Sequence, residues 1–180
     1  MCLIVVLPAG VELSREQVRD ARTYNPDGVG IMWSDPATKQ LAVRRTMQRR
    51  PGRIWSFIAS APIETERVVH FRRTTRGATH VGNTHPFVLH DRFGIMHNGT
   101  LPETLAAADV KVGRSDTAVF VEDVLAKLGT SELTNHTLWH LISHAVEGNR
   151  MIMLDGETGY TYFANAGEWH TGIDGMLLSN

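Results

Sequence analysis

The sequence has 180 residues and 42% hydrophobic content, which supports one sizeable core, is awkwardly short for two, and leads us to expect a single domain over residues 1–180. Eighteen basic against nineteen acidic side chains leave a net charge of -1, so no global field favours nucleic acid or an anionic membrane as partner. The apolar run from Leu3 to Leu7 lacks a basic leader and meets Pro8 and Gly10 at once, and no stretch approaches the length of a membrane span, so neither a signal peptide nor a spanning helix is expected and a cytoplasmic protein is predicted.

Cys2 to Leu7 reads as a buried, β-branched strand stopped by Pro8-Ala9-Gly10. Ser14 with Gln17 three residues on is a capping-box pattern that predicts a helix running to about Tyr24. After the turn Asn25-Pro26-Asp27-Gly28, two strands are predicted at Val29 to Trp33 and Gln40 to Arg45, joined hairpin-fashion through Asp35-Pro36. A short helix around Arg53 to Ala59 and a strand from Glu66 to Phe71 follow. Arg72 to Pro86 is polar and aperiodic, a loop of a length that is usually functional.

Phe87 to Leu89 and Phe93 to Met96 flank Asp91-Arg92, a second hairpin that delivers His97-Asn98-Gly99 at its end. Ser115 caps a helix carrying Val119, Val121, Val124 and Leu128, with a stop at Gly129, and another helix runs from about Thr137 to Val146. Strands at Met151 to Leu154, Tyr160 to Phe163 and Met176 to Leu178 close the chain. Strands outnumber helices and connect mainly by short turns, so antiparallel sheets with helices on their outer faces are expected.

The single cysteine cannot form an internal disulfide, and its place behind Met1 is chemically suggestive. Its side chain is small, so removal of Met1 is expected to leave Cys2 with a free α-amino group. That amine has a pKa of about 7.7–8.0 and a thiol one of about 8.5, so nucleophile and base would sit on one residue, both titrating near working pH. A lone cysteine in an apolar strand also packs as a small hydrophobe, and position alone does not choose between the two.

The segment His70-Phe71-Arg72-Arg73-Thr74-Thr75-Arg76-Gly77, then Asn83-Thr84-His85-Pro86, His97-Asn98-Gly99 and Ser115-Asp116-Thr117 at a helix start, resembles the glutaminase domain of class II glutamine amidotransferases. These are N-terminal nucleophile hydrolases. Asn25-Pro26-Asp27-Gly28 before a strand is similar to short stand-alone and phage-type members. The resemblance runs from Cys2 to Leu178-Ser179-Asn180, and it implies an α+β fold: a four-layer αββα sandwich of two mainly antiparallel sheets.

The resemblance further implies that Cys2 attacks the glutamine side-chain amide to give a thioester, glutamate and ammonia. Asn98 through its side-chain NH₂ and Gly99 through its backbone N–H would supply the two oxyanion donors. Arg72 corresponds to the arginine that grips the substrate α-carboxylate, and Asp116 to the acid that holds the α-ammonium. Thr75 would line the glutamine pocket, Gly77 would make its turn, and His85 and His97 would brace the loops. Read without the resemblance, Asn98-Gly99 is an ordinary hairpin turn, Arg72 a solvated charge and Asp116 a favourable helix N-terminal acid.

Three positions depart from the common pattern: Leu3 for a frequent glycine, Arg73 for a bulky apolar residue and Arg76 for a histidine. The two arginines add positive charge beside the expected carboxylate site, which opens the way to a more acidic γ-glutamyl substrate. No cofactor or metal is expected: His80, His85 and His90 recur every five residues, a pitch that suits neither a helix face nor a strand face. Arg44, Arg45, Arg49, Arg50 and Arg53 read as a solvated basic face, with docking to RNA, nucleotide or an acidic partner protein as the alternative. His136, His140 and His144, at helical spacing, read as a polar face.

No synthetase domain is expected within the sequence. The readings left open are a subunit that feeds ammonia to a separate synthetase, a stand-alone amidohydrolase of γ-glutamyl conjugates, and a catalytically silent ligand-binding module of the same fold.

Overall fold

Side chains alternate across a strand with period two, so a strand that is apolar at every position must be covered on both faces. β1 (Leu3–Leu7) is such a strand. Leu3, Val5 and Leu7 join a cluster with Val18 of α1 (Arg15–Tyr24) and with Ile54 and Ile58 of α2 (Pro51–Ala59). Ile4 and Val6 face the other way and meet Met96, Ile152 and Leu154 of a second sheet. The computed structural model describes residues 1–106 and 113–180.

The first sheet has six strands in the order β3-β2-β4-β1-β10-β9, adding β2 (Val29–Ser34), β3 (Leu41–Thr46), β4 (Arg67–Phe71), β9 (His170–Thr171) and β10 (Leu177–Leu178). The second has four in the order β5-β6-β7-β8: Phe87–Leu89, Phe93–Asn98, Arg150–Asp155 and Thr161–Ala164. Every pairing is antiparallel. The outer face of the second sheet packs on α3 (Asp116–Asp123), α4 (Thr130–Leu133) and α5 (His136–Ala145) through Phe120, Leu133, Trp139 and Ile142.

Helix, sheet, sheet and helix thus form the expected four-layer αββα sandwich, with one apolar layer between each pair. Each fully buried aliphatic side chain in these layers contributes roughly 1.5–3 kcal/mol. No helix among the described residues is long and apolar enough to cross a membrane.

Several boundaries differ from expectation for local reasons. β1 begins at Leu3, not Cys2, because its partner β4 ends at Phe71 opposite Leu3 and leaves Cys2 beyond the last pair. The second hairpin turns through His90 and Asp91, both at positive φ, with Arg92 completing the loop between the paired Leu89 and Phe93. The helix capped by Ser115 stops at Asp123, and a 3-10 turn over Leu125–Lys127 replaces its last turns, which puts Leu125 rather than Val124 into the core. α2 starts at Pro51, as proline at the first helical position favours.

Two short elements lay below what periodicity can show: α4, and the two-residue β9 that pairs with β10. The long loop after β4 contains one 3-10 turn, Val81–Asn83. The capping box at Ser14 and Gln17 is formed with both of its bonds.

Candidate active site

Where β1 and β4 run out together, Cys2 lies beside Arg73: the Arg73 backbone N–H donates to Sγ and the thiol donates to the Arg73 carbonyl, each at 3.3 Å. Around it is a narrow cleft of about 20 Å³. Arg72, Arg73, Thr75 and Arg76 line it from the loop after β4, together with His85. His97 and Gly99 line it from the end of β6, and Ser115, Asp116 and Thr117 from the start of α3. Cys2, Arg72, Thr75, Asp116, Gly99, His85 and His97, all singled out from sequence, therefore share one cleft. Asn98 and Gly77 do not line it.

Arg72 is 3% exposed and donates to the carbonyls of Ala78 at 3.2 Å and Arg76 at 3.4 Å, with no carboxylate among its bonded partners in the described residues. Burial pulls its pKa down, and the nearby charges of Cys2, Asp27 and Asp116 pull it back up. Asp116, buried at the N-terminus of α3, accepts from the backbone N–H of Leu101 at 2.8 Å and of Thr117 at 2.9 Å. Each of its oxygens keeps a lone pair for a further donor. Burial pushes the Cys2 thiol up, against the lowering effects of the Arg73 N–H and the Arg72 charge. The sulfur is thus held as a thiol.

Gly77 works from outside the cleft. Its φ is +73°, and a Cβ there would stand 2.7 Å from the Ser115 backbone N, so only glycine lets the loop lie against the start of α3. Asn83 fixes the same contact: its carboxamide donates to Ala78 O and Gly113 O and accepts from Ser115 N, at 2.9, 2.7 and 3.1 Å. Sequence reasoning gave Asn83 no role of its own, since a polar residue in an aperiodic loop carries no signal of burial. Gly99 has φ +146° and leaves room for Asn149, whose Oδ1 a Cβ would meet at 1.9 Å.

Two histidines of the cleft wall, His85 and His97, are joined by His70 behind them. His97 bonds Thr117 Oγ1 at 2.9 Å and Asn149 Oδ1 at 3.0 Å, which ties β6 to α3 and to the turn before β7. His85 stacks on His70 with ring centroids 4.1 Å apart, and neither ring nitrogen of His85 has a partner among the described residues. Burial lowers all three pKa values, that of His70 to about 3, so the stack is neutral at pH 7.

Asn98 points between the sheets. Its Nδ2 donates to Ser179 Oγ and to Asn180 Oδ1, each at 2.8 Å, so its protons are directed to β10's end and not to the cleft. Ser179 is the second buried polar residue that had no assigned role; its position after a two-residue strand hid it.

The model of the family described as class-II glutamine amidotransferases matches residues 5–159. The chain belongs to this family. Among solved structures, a glutamine aminotransferase class-II domain protein from Silicibacter pomeroyi is 15% identical with a TM-score of 0.55, over 99% of this chain and 88% of that one, a likeness of fold. Glutamine phosphoribosylpyrophosphate amidotransferase from B. subtilis, a structure with ADP and GMP, is 11% identical over 87% of this chain and 35% of that one, at a TM-score of 0.47. No curated protein matches the amidotransferase chain.

Two larger cavities lie outside the Cys2 cleft. One, of about 580 Å³, lies over the outer face of the first sheet between α1 and β10, lined by Leu3, Val5, Phe71, Met176 and Leu178, and by Met1, Arg73 and Asn180 at the Cys2 end. The other, of about 610 Å³, runs along α5 and β8 and shares no residue with the cleft. His136, His140 and His144 do line one side of it, with Trp139, Tyr160 and Tyr162. Among the described residues no group of three or more His, Cys, Asp or Glu is arranged to hold a metal. In the basic cluster, Arg44 stacks on Trp33 at 4.8 Å and donates to Ser60 Oγ at 2.7 Å, so part of that cluster supports the sheet itself.

Proposed function

We propose that this chain hydrolyses the side-chain amide of glutamine to glutamate and ammonia, with Cys2 as nucleophile once Met1 is removed. The observation that supports it most is the meeting of a buried Arg72, a buried Asp116 and the Cys2 thiol in one cleft. A free amino acid carries one carboxylate and one ammonium, and Arg72 and Asp116 match that pair. The Cys2 α-amine, through a water, takes the thiol proton as sulfur attacks the δ-carbonyl. Collapse of the tetrahedral intermediate expels ammonia and leaves a thioester, and water activated by the same amine then releases glutamate.

A cleft of about 20 Å³ is far below the roughly 300–1,000 Å³ of ordinary ligand sites, so glutamine binding requires the cleft to widen. The ammonia would pass to a separate synthetase. Treating the protein with diazo-oxo-norleucine, a glutamine-mimicking electrophile, and measuring its intact mass tests the reading. The expected result is a chain that has lost Met1 and carries one adduct, on Cys2. A retained methionine with no adduct would leave the silent binding module as the better account.

The groove of about 580 Å³ favours a second reading, the hydrolysis of a γ-glutamyl conjugate. Ammonia needs no such groove, whereas a larger amine would lie in it, past Arg73, with an acidic group against that guanidinium. Initial rates with glutamine and with γ-glutamyl peptides distinguish the two. A preference for an acidic, apolar conjugate that Arg73→Ala reduces by about two- to fivefold, the scale of one exposed charge contact, supports this reading. Equal rates in wild type and variant sink it.

A further inference from the structure

The oxyanion role that the family resemblance implies for Asn98 needs a free N–H on its side chain, and none is free. A carboxamide nitrogen has two protons, and here one goes to Ser179 Oγ and the other to Asn180 Oδ1. Asn98 Oδ1 is meanwhile buried without a partner among the described residues. A buried amide oxygen that bonds nothing is costly, so this arrangement has a reason to change.

Ser179 stands where that change would be controlled. It is fully buried, and its Oγ accepts from the Ile4 N–H at 2.9 Å as well as from Asn98, while donating to Asn180 Oδ1 at 3.1 Å. Its own N–H donates back to Ile4 O at 3.0 Å. One hydroxyl therefore joins the first sheet to the end of β6 in the second. Ile4 lies two residues after Cys2 and on the same side of the strand, so the link is to the backbone that carries the nucleophile.

We infer that Ser179 is the positioning residue for Asn98, holding its carboxamide by either edge. The inference rests on the reading of Asn98 as oxyanion donor. A hydroxyl can accept or donate, and that freedom is what the site uses. Turned by half a revolution, the Asn98 amide presents Oδ1 to Ser179, whose O–H now donates to it while still accepting from Ile4. Nδ2 then takes the place of the orphaned oxygen, and its protons are released for the developing charge on the substrate. The exposed Asn180 side chain exchanges its bond to Nδ2 for water. No proton leaves or enters the pair of side chains, and the buried oxygen gains the partner it lacked.

Steady-state glutamine hydrolysis by the full chain tests this with Ser179→Ala, Ser179→Thr, Asn98→Ala and the double variant Asn98→Ala with Ser179→Ala, each checked for folding by its melting temperature. Ser179→Ala is expected to lower kcat by about ten- to a hundredfold with KM held within about threefold, since the loss falls on transition-state charge. Ser179→Thr, which keeps the hydroxyl, should recover most of that kcat. In the Asn98→Ala background the serine substitution should change kcat by no more than about twofold, because two residues that act as one do not add.

A wild-type kcat in Ser179→Ala overturns the inference, and so does an undiminished effect in the Asn98→Ala background, which would mark a role through β1 alone. Should Ser179→Ala fail to fold, Ser179→Cys keeps the size with a weaker donor, and the same comparison with and without Asn98 decides. Hydrolysis that survives Cys2→Ala instead sinks the functional reading beneath it.

Discussion

Substituting Cys2 by alanine is expected to reduce glutamine hydrolysis to the uncatalysed background while the protein stays folded. The chemical half follows from the mechanism: without the sulfur no thioester forms, and neither Arg72 nor Asp116 can replace a nucleophile. The structural half follows from position. Cys2 lies beyond the last residue pair of β1 and β4, only partly buried, and its Sγ bonds Arg73 through weak contacts at 3.3 Å. Its loss removes little packing, so the melting temperature should move by only about 2–4 °C, the shift that roughly 1 kcal/mol produces in a chain of this size. Glutamate release measured by a coupled assay, beside a thermal melt, checks both. Activity that persists in a folded variant would falsify the nucleophile assignment.

Asn98→Ala carries the second-largest effect. Removing one preorganised oxyanion donor costs about 10²–10³ in kcat, or roughly 2.7–4 kcal/mol of transition-state stabilisation. KM should change little, because the ground-state carbonyl is neutral and the donor acts on charge that appears later. This expectation depends on the Nδ2 protons leaving their present acceptors, Ser179 and Asn180, during turnover. If Asn98→Ala retains kcat within about threefold of wild type, far above the loss expected for a donor, Gly99 and other groups must supply the oxyanion site and Asn98 is a seam residue only.

What was legible from residues follows where local chemistry is strong. The capping box at Ser14 forms because hydroxyl and amide lie three residues apart on any helix, so neighbours in sequence suffice. β1 and β2 could be read because nearly every position in each is apolar, and a strand covered on both faces leaves that imprint, while β4 was carried by Val68, Val69 and Phe71. By contrast, the two residues of β9 bury nothing and pattern nothing; only β10 beside them makes them a strand. The split after Asp123 was likewise decided by which of Val124 and Leu125 the core accepts.

Residue type and order were enough to read the family and the sheet-and-helix composition and to nominate candidate site residues, because they survive without coordinates. Tertiary structure alone decided which of them meet. Cys2, Arg72, Gly99 and Asp116 come from four separate parts of the chain, and they converge because the ends of β1, β4 and β6 and the start of α3 lie together across the two sheets. It also decided that Asn98 turns toward Ser179. That choice belongs to a hydrogen bond across 81 residues of sequence, and no local pattern records a contact of such range.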